Sequence, residues 1–227
     1  MDKIEKNAML EPKDLAKYID HTMLKADAVE AAFDKLCDEA IEYSFKSVCV
    51  NSSWVAYVAN RLQGTKVQVC SVVGFPLGAM SSKSKAFEAE DAIAQGAREI
   101  DMVLAVGRLK MGDVQYVEDD IKAVRQVAKN GVILKVIIET AMLTKEEKIT
   151  ACRLAKAAGA DFVKTCTGFG GGAATAEDIA LMQEIVGPAM GVKASGGVRN
   201  YDKAIELIGA GATRLGAQSS IAIVTGK

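Results

Sequence analysis

Two lysines stand in strand-like surroundings where a core does not want charge. Lys164 sits in Phe162-Val163-Lys164-Thr165, just before the glycine-rich Gly168-Phe169-Gly170-Gly171-Gly172. Lys193 sits in Val192-Lys193-Ala194, just before Ser195-Gly196-Gly197. Lysine is seldom fully buried without a partner. Burial disfavours the ammonium form, so such an amine gives up its proton more easily, and a neutral amine attacks a carbonyl to form a Schiff base. A second cation nearby pushes the same way. Neighbouring strands lie about 4.8 Å apart, so the two lysines converge if their strands are adjacent. Asp101, in Glu99-Ile100-Asp101-Met102-Val103, adds a carboxylate that can balance the pair and relay protons. The same constellation also suits a purely structural ion-pair cluster.

Asp20, Lys135 and Glu139 are further charged residues in strand-like runs. Lys135 comes early in its strand, towards the end remote from chemistry, where a structural role fits at least as well. His21 is the only histidine. No histidine cluster for a metal exists, and a hydrogen-bonded structural role is the favoured reading for it. Cys49 and Cys166 fall near strand ends and could line a pocket, but no cysteine–histidine pair suggests a thiol nucleophile. Glycine-rich loops follow the last three strands, at 168–172, at Ser195-Gly196-Gly197, and at Gly216 with Ser219-Ser220. Backbone amides in such loops bind phosphate. Tight turns want glycine too, yet three such loops in succession favour a phosphorylated substrate.

The elements that must position these residues follow from the hydrophobic pattern. Strands are expected at 19–24, 47–51, 67–73, 99–104, 132–138, 161–164, 191–194 and 213–216. Helical spacing is read over 11–18, 28–44, 54–62, 85–95, 114–129, 145–158, 176–186, 201–209 and 217–224. A helical segment after nearly every strand implies βαβ units and a parallel sheet. A doubly wound open sheet and a closed (β/α)₈ barrel both satisfy that pattern. Eight units in 227 residues suit a compact barrel, and no G-x-G-x-x-G follows the first strand. The junctions Gln95-Gly96-Ala97, Ala158-Gly159-Ala160 and Ala210-Gly211-Ala212 read as one unit repeated. The reading is one barrel domain over 1–227, with 1–14 an N-terminal extension. Chemistry is then expected at the carboxyl ends of the strands.

Bulk composition excludes several classes. Half of the residues are hydrophobic and a quarter are charged, with a net charge of −1. That gives no electrostatic footprint for nucleic acid or for an anionic membrane. Five cysteines without a C-x-x-C pair point to free thiols in a reducing compartment. The first residues carry no apolar leader and no run is long enough to span a bilayer, so a cytoplasmic protein is expected. The helix faces are compatible with a homodimer.

Together, Ile19-Asp20-His21-Thr22, Gly74-Phe75-Pro76-Leu77-Gly78, Glu99-Ile100-Asp101-Met102-Val103, Phe162-Val163-Lys164-Thr165 and Val192-Lys193-Ala194-Ser195-Gly196-Gly197-Val198-Arg199 resemble the deoxyribose-phosphate aldolase family, over about Leu15 to Val224. The resemblance implies a (β/α)₈ barrel and a class I, metal-free aldolase with no cofactor. Its implied reaction is reversible cleavage of 2-deoxy-D-ribose 5-phosphate to acetaldehyde and D-glyceraldehyde 3-phosphate. By position, Lys164 matches the Schiff-base lysine, Lys193 the second lysine that tunes it, and Asp101 the proton-relay carboxylate. Asp20 and Thr22 match supporting pocket positions, and Cys49 the pocket cysteine that an aldehyde adduct can trap. Thr167, Gly168, Gly196, Gly197, Gly216 and Ser219 match substrate and phosphate-loop positions.

The chain departs from the family pattern in places. Cys166 and Gln218 stand where serines are usual, Ala105 where asparagine is common and Ser52 where proline is common. Many members end in a tyrosine that assists protonation, whereas this sequence ends at Lys227. Other readings remain open at this stage: an aldolase preferring unphosphorylated aldehydes, a transaldolase-like Schiff-base barrel using ketone donors, or a phosphate-binding barrel without catalysis.

Overall fold

The computed structural model describes residues 10–226. Most of the expected N-terminal extension lies outside the described residues. Its described end leads into a 3-10 helix over Pro12–Tyr18, where Glu11 and Asp14 form a capping box and Pro12 stands in the first turn. Eight parallel strands then close into a barrel in sequence order. They are β1 (Ile19–Met23), β2 (Ser47–Val50), β3 (Gln68–Val73), β4 (Glu99–Val103), β5 (Ile133–Ile137), β6 (Phe162–Lys164), β7 (Gly191–Ser195) and β8 (Arg214–Ala217). The closed (β/α)₈ barrel is therefore the architecture, and the open-sheet alternative falls.

Helices wrap the outside. They are α1 (Glu30–Glu42), α2 (Val55–Arg61), α3 (Ser82–Ala94), α4 (Val106–Lys110), α5 (Val114–Val127), α6 (Lys145–Ala157), α7 (Ala176–Val186), α8 (Tyr201–Gly209) and α9 (Ser220–Thr225). The longer ones bury an apolar stripe, as Phe33, Leu36, Cys37 and Ala40 do for α1. Starts are fixed by side chains that satisfy orphan amides: Ser81 before α3, Asp113 before α5, Thr175 before α7 and Asn200 before α8. A full capping box, Thr144 with Glu147, opens α6. No element is read in sequence between the strand at 99–104 and the helix at 114–129, and that connection holds α4. Five residues are too few for helical periodicity to be visible in sequence.

The core divides in two. Between sheet and helices it is apolar and continuous. Inside the barrel, where branched aliphatics usually fill the layers, seven charged side chains are buried instead: Asp20, Glu99, Asp101, Lys135, Lys164, Lys193 and Arg214. Register explains their meeting. Lys164 pairs with Lys193 across β6 and β7, and Asp101 with Lys135 across β4 and β5. Glu99 and Asp101 are two apart on β4, so both face inward.

Candidate active site

Asp101 is the hub of the interior cluster. Its Oδ2 accepts from Lys164 Nζ and from Lys193 Nζ, each at 2.7 Å, and its Oδ1 accepts from Lys135 Nζ at 2.7 Å. Burial would raise this carboxyl, but Lys135, Lys164 and Lys193 overcome that and hold it well below the usual carboxylate range. It stays an anion throughout the neutral range.

Lys193 is fixed from two sides, by Asp101 and by an ion pair with Asp20. Burial pulls its pKa down, yet Asp101 and Asp20 more than compensate, so it lies well above the ordinary lysine range. It is a permanent cation. The expectation that it stands close to Lys164 holds: both nitrogens are 2.7 Å from one oxygen, which puts them no further apart than twice that distance.

Beneath these residues the network continues. Lys135 Nζ lies 2.5 Å from Glu99 Oε2 and 3.7 Å from Asp20 Oδ2. Arg214 Nη1 donates to Asp20 Oδ1 at 2.6 Å and to Glu99 Oε2 at 2.7 Å. Lys135 thus belongs to the same cluster as the two other lysines, although its supports lie on the lower side. Three carboxylates meet four basic groups, and the balance closes when one amine is uncharged. Lys193, Lys135 and Arg214 are each gripped by at least two carboxylates; Lys164 has one.

Lys164 is also the member that meets open space. It forms part of the floor of a cavity of about 380 Å³ at the carboxyl end of the barrel. The walls carry Thr22, Thr167, Gly168, Gly196, Gly197, Gly216 and Ser219, with Ser195, Phe169, Arg199 and Gln218 beside them. All seven of the first group were expected around substrate. Asp20 and Cys49 are placed differently. Both are wholly buried and off the cavity wall. Asp20 sits below Lys193, where Ser47 Oγ donates to it at 2.7 Å, and therefore acts on the lysine rather than meeting a ligand. Cys49 lies beside Cys70, whose Sγ donates to Asp101 Oδ1 at 3.2 Å. The neighbouring Cys70 side chain lowers the Cys49 pKa against the effect of burial.

Glycine is required at two of the loop positions for different reasons. Gly196 has φ +89°, and a Cβ there would come 3.0 Å from the Gly172 carbonyl oxygen. Gly216 has no unusual φ, but a Cβ there would come 3.1 Å from both Lys193 Cε and Ser195 Cβ. It leaves room for the amine.

Some contacts of the site were not visible in sequence. Arg214 lies in a strand whose other polar neighbours gave no hint of an inward charge. Ser195 Oγ donates to the Cys166 carbonyl at 2.5 Å and Thr165 Oγ1 to the Ser195 carbonyl at 2.8 Å, which ties the β6 and β7 loops together. Glu139, with φ 56°, turns left-handed after β5 and accepts from the Thr167 amide at 3.2 Å and hydroxyl at 2.5 Å. Glu139 stood out in sequence as a charged residue at the end of the β5 run, but its left-handed turn and its Thr167 partner did not.

Comparison with known proteins agrees with this geometry. Residues 15–221 match the family model described as DeoC/LacD family aldolase. The chain belongs to this family. A deoxyribose-phosphate aldolase of Clostridium perfringens is 59% identical over 218 residues, covering 96% of this chain and 97% of that protein. Deoxyribose-phosphate aldolase 1 of Oceanobacillus iheyensis is 57% identical over 94% of this chain and 97% of its own length. The tetrameric deoxyribose phosphate aldolase of Aeropyrum pernix superposes with a TM-score of 0.89 at 31% identity, covering 95% of this chain and 91% of that one. As a family member the protein is an aldolase, a carbon–carbon lyase, built on a (β/α)₈ barrel. No helix among the described residues is long and apolar enough to cross a membrane.

Proposed function

We propose that the protein reversibly cleaves 2-deoxy-D-ribose 5-phosphate to acetaldehyde and D-glyceraldehyde 3-phosphate, with Lys164 as the Schiff-base residue. The carrying observation is that Lys164 alone among the interior basic groups combines a single carboxylate partner with a place on the cavity floor. Uncharged Lys164 adds to the C1 aldehyde of the open-chain sugar and water leaves, giving an iminium ion. The bond between C2 and the hydroxyl-bearing C3 then breaks, its electron pair moving into the iminium to form an enamine. The C3 hydroxyl gives up its proton as glyceraldehyde 3-phosphate departs. Protonation of the enamine carbon and hydrolysis release acetaldehyde and the free amine.

Asp101 is placed to take and return protons beside this amine, and cationic Lys193 keeps positive charge where negative charge develops. The Gly168, Gly196–Gly197 and Gly216–Ser219 loops, with Arg199 at the rim, offer backbone amides and a guanidinium to the 5-phosphate. Small-molecule sugar phosphates are thus the partners this cavity suits.

Borohydride reduction in the presence of acetaldehyde tests the assignment. Peptide mapping should find an ethyl group on Lys164 and on no other lysine. An adduct confined to Lys193 or Lys135, or none at all, removes the assignment. A transaldolase-like donor preference would show instead as trapping by a ketone and not by acetaldehyde.

A further inference from the structure

The single histidine is not used by the chemistry above, yet it is built into the wall behind the phosphate-facing loops. His21, on β1 and paired in register with Ala217 of β8, is buried. Its Nδ1 lies 2.8 Å from Ser220 Oγ and its Nε2 lies 2.9 Å from Glu39 Oε2. One imidazole therefore ties β1, α1 and the first residue of α9, directly after the turn between β8 and α9. That turn supplies Ala217, Gln218 and Ser219 to the cavity.

We propose that His21 is a positioning residue whose protonation state sets the affinity of the β8–α9 turn for the substrate phosphate. This rests on the reading that the turn faces the 5-phosphate.

The hydrogens can be counted. Glu39 only accepts, so the neutral ring must carry its proton on Nε2, and Nδ1 accepts from the Ser220 hydroxyl. When the ring takes a second proton, Nδ1–H donates to Ser220 Oγ instead. The hydroxyl proton must then turn to its other neighbour, the Ala217 carbonyl at 3.1 Å. That carbonyl shares a peptide unit with the Gln218 amide. A hydrogen bond to the carbonyl polarises the amide and makes it a stronger donor. Protonation also adds a positive charge behind the turn. Both effects favour a dianion in the cavity, and by linkage a bound dianion favours the protonated ring.

The surroundings let the ring respond. Burial lowers its pKa, while Glu39 and the Ala217 backbone raise it and Lys35, 3.7 Å from Glu39, lowers it. Glu39 and Lys35, both on α1, are the charged groups acting on it; from the β8 side it meets Ser220 and Ala217, and from the β2 side the Phe45 ring at 5.1 Å.

Because there is one histidine, its ring resonance is unambiguous. The ring should be titrated by NMR with and without saturating inorganic phosphate, alongside phosphate inhibition of deoxyribose 5-phosphate cleavage across the same pH range. Phosphate should shift the ring's titration to higher pH. On acidification through that titration, phosphate inhibition should tighten about tenfold more in the wild type than in His21→Gln, in which the phosphate's own titration is unchanged. Glu39→Gln keeps an acceptor but removes the charge, so the same step should move to lower pH. KM for free deoxyribose should not follow this pattern. If phosphate competes but the ring titrates identically with and without it, the inference is overturned and the phosphate pocket stands. If phosphate does not compete, both are overturned.

Discussion

Lys164 and Lys193 share one oxygen atom: each Nζ lies 2.7 Å from Asp101 Oδ2, and the two lysines are register partners on adjacent strands. A shared acceptor makes the two amines rivals. When Lys164 is uncharged, Lys193 becomes the sole full cation on that oxygen. In that state the positive charge stays on Lys193, beside the Lys164 amine.

Replacing Asp101 by Asn should therefore damage both chemistry and fold. The amide keeps the shape but leaves three buried amines without their common counter-charge. Breaking a buried pair from one side typically costs about 3–5 kcal/mol. Cleavage should fall by about 10²–10⁴-fold, and the urea midpoint should drop. An unchanged midpoint would show that the cluster is more hydrated than its burial indicates.

Lys193 and Lys135 can be told apart by experiment. Both are fully buried and both touch Asp101 and Asp20. Only Lys193 shares the oxygen that faces Lys164. Lys193→Met should slow borohydride trapping of acetaldehyde and lower kcat by about 10²-fold or more, with a small effect on KM. Lys135→Met should reduce stability by about 3–5 kcal/mol while trapping in the remaining folded protein stays faster than in Lys193→Met. Equal trapping rates in the two variants would remove the distinction.

Much of this was legible in the sequence because buried charge is conspicuous in an apolar strand. Lys164, Lys193 and Asp101 each stand beside apolar residues in a short strand, and alternating strands and helices put those strands into one parallel sheet. What sequence does not carry is depth. Asp20 reads as a pocket residue, yet strand direction and barrel tilt put it under Lys193. Lys135 reads as a lower-layer residue, yet β5 pairs it in register with Asp101 and its amine meets that carboxylate. Arg214 reaches Asp20, 194 positions away in the chain, a contact that no local pattern encodes.

Acid stability should report on the same carboxylates. Burial alone would raise Asp20, but Lys193, Lys135 and Arg214 bring it far below its ordinary value, and Asp101 is depressed likewise. A carboxyl depressed in the folded state contributes stability that is present above its unfolded pKa, near 3.9, and lost as pH falls towards the folded value. Chemical denaturation between pH 6 and pH 2 should show the wild-type midpoint falling below about pH 4. Asp20→Asn should start lower and fall less steeply. Parallel curves for the two proteins would contradict the depressed carboxyl.

Loop glycines should separate binding from chemistry. Gly196→Ala meets a backbone oxygen at positive φ, so the loop must shift, and KM for the phosphorylated substrate should rise about tenfold with a smaller change for free deoxyribose. Gly216→Ala instead presses on Lys193 Cε. It should lower kcat for both substrates. A pure KM effect at Gly216 would mean that the lysine stem yields without moving its amine.

A second buried ion pair lies outside the barrel and should affect stability alone. Lys85 of α3 reaches Asp120 of α5 at 2.5 Å, both fully buried, and also donates to the Val103 carbonyl at 2.9 Å. Asp120 Oδ1 has no partner among the described residues. Lys85→Met strands the carboxylate and should cost about 3–5 kcal/mol, whereas a buried pair exchanged for matched apolar residues is often neutral or stabilising. Lys85→Met combined with Asp120→Leu should therefore recover most of the loss, even though the Val103 carbonyl then lacks its donor. Denaturant titration of the single and double variants gives the coupling directly. In both, borohydride trapping at Lys164 should proceed at the wild-type rate in the folded fraction, because neither side chain touches the interior cluster. A slower trapping rate in the double variant would show that the α3–α5 layer positions β4, and through it Asp101.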